Sequence, residues 1–201
     1  MKNFPSSLFV AQCRITTPLG QLTLVTTAKG LAAALFDAQS HHPGDLLAPV
    51  NAHHPHLALA AREFAVYFDG PGAGGQAGFT VPMDPQGTGF QQAVWQALLQ
   101  IQPGELSSYG AIAHAVGRPE AARAVGAAVG RNPVSIAVPC HRVVGRDGSL
   151  RGYAGGLPRK VALLRLEGAA GPWMRGQVTA RTLVRGPTTP RPLSAQQSSL
   201  P

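Results

Sequence analysis

Residues 109–133 read "YGAIAHAVGRPEAARAVGAAVGRNP", and the fold of the second half of the chain turns on them. A helix is expected from about Tyr109 to Val116, stopped by Gly117. Pro119 then takes a favourable first-turn position with Glu120 beside it to complement the helix dipole, and a second helix runs to about Val129 before "GRNP" ends it. Two short helices joined by a Gly-containing turn form a helix-turn-helix pattern. Val125 and Val129 lie four apart and point into a core. Another face collects Arg123, Gly126, Ala127 and Gly130, so it carries one long cation and almost no other side chain. An ordinary recognition helix reads the major groove with several Arg, Asn or Gln side chains. A small-residue face instead lets a backbone come very near its partner. The spacing fits tight helix–helix packing, and it equally fits the narrow minor groove of DNA with Arg123 inserted into the base stack.

Upstream, Thr88 with Gln91 three residues later fits a capping box that opens a helix turning Phe90, Val94, Leu98 and Ile101 inward. The first part of the chain has a different rhythm. Residues 9–15, 21–26 and 31–36 read as short strands separated by "TPLG" and "TAKG", turns rich in Gly and Pro. From His56 to Phe68 the apolar residues Leu57, Ala60, Ala61, Phe64, Tyr67 and Phe68 recur at helical spacing. The expectation is a small sheet with a helix across it, a flexible loop at "DGPGAGGQAG" and a domain boundary near Gln86. Beyond Gly168 the chain is rich in Pro, Ser, Thr and Gln, carries Arg175, Arg181, Arg185 and Arg191, and contains no acid, which reads as a disordered basic tail. The domains expected are therefore 1–86, 87–168 and the tail 169–201.

The 201 residues carry a net charge of +8 with 44% hydrophobic residues. That composition supports a packed core, and it makes a polyanion a plausible partner without excluding a merely basic surface. No apolar run approaches a membrane span, and the start "MKNFPSSLFVAQC" has too short an apolar run for a secretory signal. A cytoplasmic protein is expected. In a reducing compartment the two cysteines, Cys13 and Cys140, are not expected to be bridged, and Cys13 reads as a small apolar strand residue. His41, His42, His53, His54 and His56 lie in Pro-rich sequence without cysteines and read as solvated loop residues, so no metal site is expected.

The stretch "IAVPCHRVVGRDGSLRGYAGG", residues 136–156, sets Cys140 beside His141 after a proline. A free thiol is mostly protonated at neutral pH and needs a base or a positive field to act. Glu167, late in the helix "PRKVALLRLEG", is the acid that can orient His141 in a Cys–His–Glu relay. The dipeptide alone leaves a structural cysteine open.

Taken together, "GTGFQQAVWQALLQIQPGE", "SYGAIAHAVGRPEAARAVGAAVGRNP", "IAVPCHRVVGRDGSLRGYAGGLPRK" and "LLRLEG" closely resemble the methylated-DNA–protein-cysteine methyltransferases, the O6-alkylguanine-DNA alkyltransferases. "TPLGQLTLV" is similar to that family's first domain in pattern more than in residues. The resemblance implies an α+β fold, a small ribonuclease H-like N-terminal α/β domain followed by a winged helix-turn-helix-like catalytic domain. It implies single-turnover transfer of an alkyl group from O6-alkylguanine, and from O4-alkylthymine, in DNA to Cys140 after base flipping. No cofactor is implied, the partner is double-stranded DNA through its minor groove, and the protein is a monomer away from membranes.

Position by position, Cys140 would be the acceptor, with His141 linked to Glu167 through a water to draw off its proton. Asn132 would hold the active-site turn, and Tyr109 would donate to the departing guanine. Arg123 would fill the vacated stack, with Ala124, Gly126 and Ala127 against the DNA. Val143 would face the guanine edge, Tyr153, Ala154, Gly155 and Gly156 would form a loop over the pocket, and Lys160 would position that loop or the base. Ala154 stands where some relatives carry a serine, so a backbone amide must replace any hydroxyl contact. A non-catalytic lesion binder would not need the thiol, and a cysteine hydrolase would not need the small-faced helix.

Overall fold

The computed structural model describes residues 6–44, 46–69 and 78–171. The expected flexible loop at 69–78 and basic tail at 169–201 lie mostly outside them. Three antiparallel strands come first, β1 (Ala11–Thr17), β2 (Gly20–Thr26) and β3 (Leu31–Phe36), in that spatial order. The first strand sits two residues later than its sequence suggests, because Ser6–Leu8 forms a 3-10 turn and pairing begins only at Ala11 opposite Thr26. Phe9 is buried in a small cluster with Val25, Ala32, Ala33 and Leu35. Gly30 in the second turn has a steric reason to be glycine: an added Cβ would lie 2.2 Å from the Pro82 carbonyl oxygen.

Helix α1 (Pro55–Phe68) lies across this sheet with Leu57, Ala60, Phe64 and Tyr67 buried. His56 is in its first turn and not in a loop, with Nδ1 3.3 Å from the Thr26 hydroxyl, and the His54 ring packs edge-on against it. Cys13 is buried in β1, and both cysteines are free.

The edge of β3 away from β2 does not face water. Its Ala34 amide donates to the Pro133 carbonyl (2.9 Å), and the Ser135 amide donates back to Ala34 (3.0 Å). The segment leading to Cys140 is therefore added to the sheet almost as a fourth strand, which satisfies an edge otherwise open to unwanted pairing. One contiguous cluster of buried side chains runs from Ala11 and Leu24 through Tyr67, Trp95 and Val125 to Cys140 and Leu163.

Helix α2 (Gly89–Leu98) has the expected capping box: the Gln91 amide donates to the Thr88 hydroxyl and the Gln91 side chain accepts from the Thr88 amide. Val94, Trp95 and Leu98 are its buried residues, whereas Phe90 is only half-buried. The Trp95 indole N–H donates to Ala128 O at 3.0 Å, tying α2 to the helix that carries Ala128. The two-residue strand β4 (Ser107–Ser108) precedes α3 (Tyr109–Ala115), whose N-cap is the Ser108 hydroxyl. A 3-10 turn at Pro119–Ala121 leads into α4 (Ala122–Gly130), which buries Val125, Ala128 and Val129. After Cys140–Arg142, itself a 3-10 turn, β5 (Val143–Val144) pairs in parallel with β4, and α5 (Leu157–Leu166) closes the described chain. Among the described residues, no helix is long and apolar enough to cross a membrane.

Candidate active site

Cys140 is 5% exposed and sits where three pieces of chain converge. The first is the turn after α4. Asn132 donates through Nδ2 to Val138 O (2.8 Å), Val134 O (3.4 Å) and Cys140 Sγ (3.0 Å), while its Oδ1 accepts from the Val134 amide. One short amide side chain thus adds to the main-chain bonds that hold this buried loop. The loop is strained as well as tied: Ile136, β-branched and buried, has a φ of 73°, a region such residues rarely occupy and one that clusters at functional sites.

The second piece is the C-terminal end of α5. Glu167, at its C-cap, has a side chain with no solvent exposure. Its Oε1 lies 2.8 Å from His141 Nε2 and 2.8 Å from Arg142 Nη2, and Oε2 accepts from Arg142 Nε at 2.8 Å. The link from His141 to Glu167 is direct, not the water-mediated one that the family resemblance implied. Arg142 also donates to the Ile101 carbonyl. Burial works to raise the Glu167 carboxyl, but the hydrogen bonds and charge of His141 and Arg142 outweigh it and bring the pKa down to about 2.

An ionised carboxylate only accepts, so His141 Nε2 must carry the proton. Burial holds the His141 pKa below its ordinary value despite the pull of Glu167, so the ring is neutral at pH 7 and Nδ1 holds its lone pair. Nδ1 is buried without a hydrogen-bond partner among the described residues, free to take a proton.

The third piece is Lys160 in α5, which is fully buried and donates from Nζ to Val143 O (2.6 Å) and Arg151 O (2.8 Å). Burial lowers its pKa to about 8, with the Cys140 charge acting the other way. Burial likewise pushes the Cys140 thiol up, opposed by the Asn132 hydrogen bond and the Lys160 charge. The sulfur at rest is a thiol held beside everything that would stabilise it as a thiolate.

Next to this cluster opens a cavity of about 360 Å³, lined among others by Tyr109, Gly126, Val129, Tyr153 and Ala154. Parallel pairing of Ser108 with Val144 sets Tyr109 beside the turn that carries Cys140. Burial and the nearby Cys140 charge raise the pKa of both Tyr109 and Tyr153, so both keep their protons. Gly126 faces the Tyr109 ring, where an added Cβ would sit 3.7 Å from Cδ1. Arg123, Ala124 and Ala127 are exposed on the same helix, and Gly126 is half-exposed.

The other predicted pocket residues sit outside this cavity. Val143 is buried behind it in β5, Lys160 bonds to the Val143 carbonyl, Gly155 backs onto the Tyr153 and Phe36 rings, and Gly156 is the N-cap of α5. Ser40 and His41 line the cavity from the first part of the chain, and the Ser40 amide donates to Ala154 O at 2.8 Å. The sequence reading set His41 aside as a loop residue. It also passed over Arg142, visible only as the residue after "CH", and Tyr67, whose place in an apolar stripe gives no hint of its reach. Tyr67 Oη donates to Glu167 Oε1 at 2.7 Å across 100 residues of chain.

Among the described residues no three His, Cys, Asp or Glu side chains come together as a metal site would need. The arrangement is that of a buried thiol beside an imidazole oriented by a carboxylate, with a cavity alongside.

Residues 89–169 match the family described as 6-O-methylguanine DNA methyltransferase, DNA binding domain. The methylated-DNA–protein-cysteine methyltransferase of Mycobacterium leprae is 46% identical over 157 residues, 77% of this chain and 91% of that protein. The inducible enzyme of that name from Bacillus subtilis is 44% identical, over 76% and 82% of the two chains. The crystal structure of Mycobacterium tuberculosis OGT in complex with DNA superposes with a TM-score of 0.69 at 42% identity, covering 79% of this chain and 92% of that one. With the mixed α/β architecture and the Cys140 cluster, these likenesses settle the family: the chain belongs to the methylated-DNA–protein-cysteine methyltransferases.

Proposed function

We propose that the protein repairs O6-alkylguanine in DNA by taking the alkyl group irreversibly onto Cys140. The observation that carries the assignment to this cysteine is its sulfur, 3.0 Å from the Asn132 amide and flanked by a neutral His141 held by Glu167. A base inside a duplex cannot reach a buried sulfur, so the nucleotide is flipped out, at an unstacking cost of a few kcal/mol. The exposed small face of α4 permits close backbone approach in the minor groove, and Arg123 fills the gap left in the stack. The cavity between Tyr109 and Tyr153 receives the base.

His141 Nδ1 takes the thiol proton, directly or through one water, and Glu167 steadies the imidazolium. The thiolate attacks the alkyl carbon, the S–C bond forms, and the C–O6 bond breaks with its electron pair passing to the guanine. Tyr109, still protonated, donates to the developing charge on the leaving base. A thioether has no route back to a thiol here, so each molecule acts once. O4-alkylthymine presents the same alkyl–oxygen bond and is a second substrate.

The finer architecture belongs to the same reading: a ribonuclease H-like unit over 1–86, a winged helix-turn-helix unit over 87–168, and a monomer working on DNA in the cytoplasm without a cofactor. The addition of residues 133–135 to the β3 edge supports a fixed relation between sheet and catalytic loop.

The test is mass spectrometry of the Cys140 peptide after mixing the protein with an oligonucleotide that contains O6-methylguanine. One added methyl group is expected, absent in Cys140→Ala. An unmodified peptide despite DNA binding refutes the reading.

A further inference from the structure

Glu167 does not belong to the catalytic loop alone. Its Oε1 takes three donors: His141 Nε2, Arg142 Nη2 and the Tyr67 hydroxyl. Tyr67 belongs to α1, is 1% exposed, and packs its ring edge-on against Phe68 (centroids 5.1 Å apart) and near Phe79 (6.0 Å). Phenylalanine would satisfy that apolar site. What tyrosine adds is one hydroxyl in a dry interior, where a hydrogen bond to an ionised group is short and strong.

We propose that Tyr67 is a positioning residue for alkyl transfer: its hydroxyl fixes the Glu167 carboxylate at the angle that orients His141, so the N-terminal helix sets the geometry of the catalytic base. The proposal rests on the reading of Cys140 as acceptor. With Arg142 gripping both carboxylate oxygens from one side, loss of the Tyr67 hydroxyl leaves Glu167 free to pivot toward the guanidinium and away from Nε2.

The hydroxyl also keeps the negative charge of Glu167 against the imidazolium. With the carboxylate turned toward the guanidinium, less of that charge faces His141, whose protonation then begins at lower pH. The groups facing His141 are Cys140 and Arg142 from its own turn, Glu167 and Lys160 from α5, and Tyr153 with its ring edge-on at 6.5 Å. Of these, only the placement of Glu167 changes in Tyr67→Phe.

The experiment is single-turnover methyl transfer from duplex O6-methylguanine by full-length wild type and Tyr67→Phe, measured across the pH range in which His141 titrates, with thermal melting alongside. The expected result is a maximal rate about tenfold lower, the scale of one lost hydrogen bond to a charged group, together with an acid limb displaced to lower pH. A rate within about twofold of wild type, or a slower rate with the acid limb in place, overturns the proposal whatever the melting temperature does, since either marks Tyr67 as packing only. Wild-type protein that transfers no methyl overturns the reading of Cys140 instead and takes this one with it.

Discussion

Acid should dismantle this protein through Glu167, and the size of the effect follows from its surroundings. The folded carboxyl has a pKa of about 2 against an ordinary 4.5. A carboxyl depressed on folding contributes stability that is present above its unfolded pKa and lost as pH falls through the folded one. At about 1.4 kcal/mol for each pH unit of difference, Glu167 contributes about 3 kcal/mol at about pH 5 and about half of that at about pH 3. His141 acts in the same direction from higher pH: burial lowers its folded pKa, so below about pH 6.5 the unfolded chain gains a proton that the folded one refuses.

Glu167→Gln isolates the carboxylate. At neutral pH the variant loses about 3–5 kcal/mol, because Arg142 is left buried without its counter-charge. As pH falls, wild type approaches the variant, and the difference between them should narrow by about 1.5–2 kcal/mol from about pH 5 to about pH 3. Urea unfolding at a series of pH values reads this directly. A wild-type-to-variant difference that stays constant over that interval refutes the account, for it would mean that Glu167 titrates alike in both states.

Two further outcomes test the site. Asn132→Asp keeps the Oδ1 acceptor for the Val134 amide but replaces the donor to Cys140 Sγ and Val138 O with an oxygen. It should slow methyl transfer at least a hundredfold (about 2.7 kcal/mol) and cost about 1–3 kcal/mol of stability; a transfer assay showing less than a tenfold loss would separate Asn132 from thiolate stabilisation. Arg123→Ala, at an exposed position of α4, should slow repair in duplex DNA while leaving the reaction with free O6-benzylguanine unchanged, and equal losses on the two substrates in parallel kinetic assays would remove the finger role.

What could be read in the sequence was the local grammar. The Thr88–Gln91 box, the helix from about Tyr109 to Val116, the Gly117 stop and the inward Val125 and Val129 all follow from propensity and spacing, and all are present. Cys140 and His141 were legible mainly through the family resemblance, since the dipeptide alone leaves a structural cysteine open, and Glu167 stood out as the acid late in the last helix. The first strand came out misplaced because its edge is set by pairing with Thr26, a tertiary fact. Arg142 and Tyr67 stayed hidden because their roles are set by a partner 25 and 100 residues away. Nothing in an apolar helical stripe separates a tyrosine chosen for its ring from one chosen for its hydroxyl.

Those hidden residues change what the proposed relay rests on. A Cys–His–Glu triad on one loop could in principle be carried by residues 132–167 alone. Here the acid is shared with α1 through Tyr67, the catalytic loop is bonded to β3 through Ala34, and the Ala154 carbonyl accepts from Ser40. The acid, the Cys140 loop and the Ala154 loop are thus each tied to the first part of the chain by a hydrogen bond, the first two of them buried. A buried thiol whose pKa is raised by its burial needs its base placed to within a few tenths of an ångström, and a loop strained at Ile136 would not hold that placement unaided. The hydrogen bonds to the N-terminal sheet and helix add to what holds that loop in place.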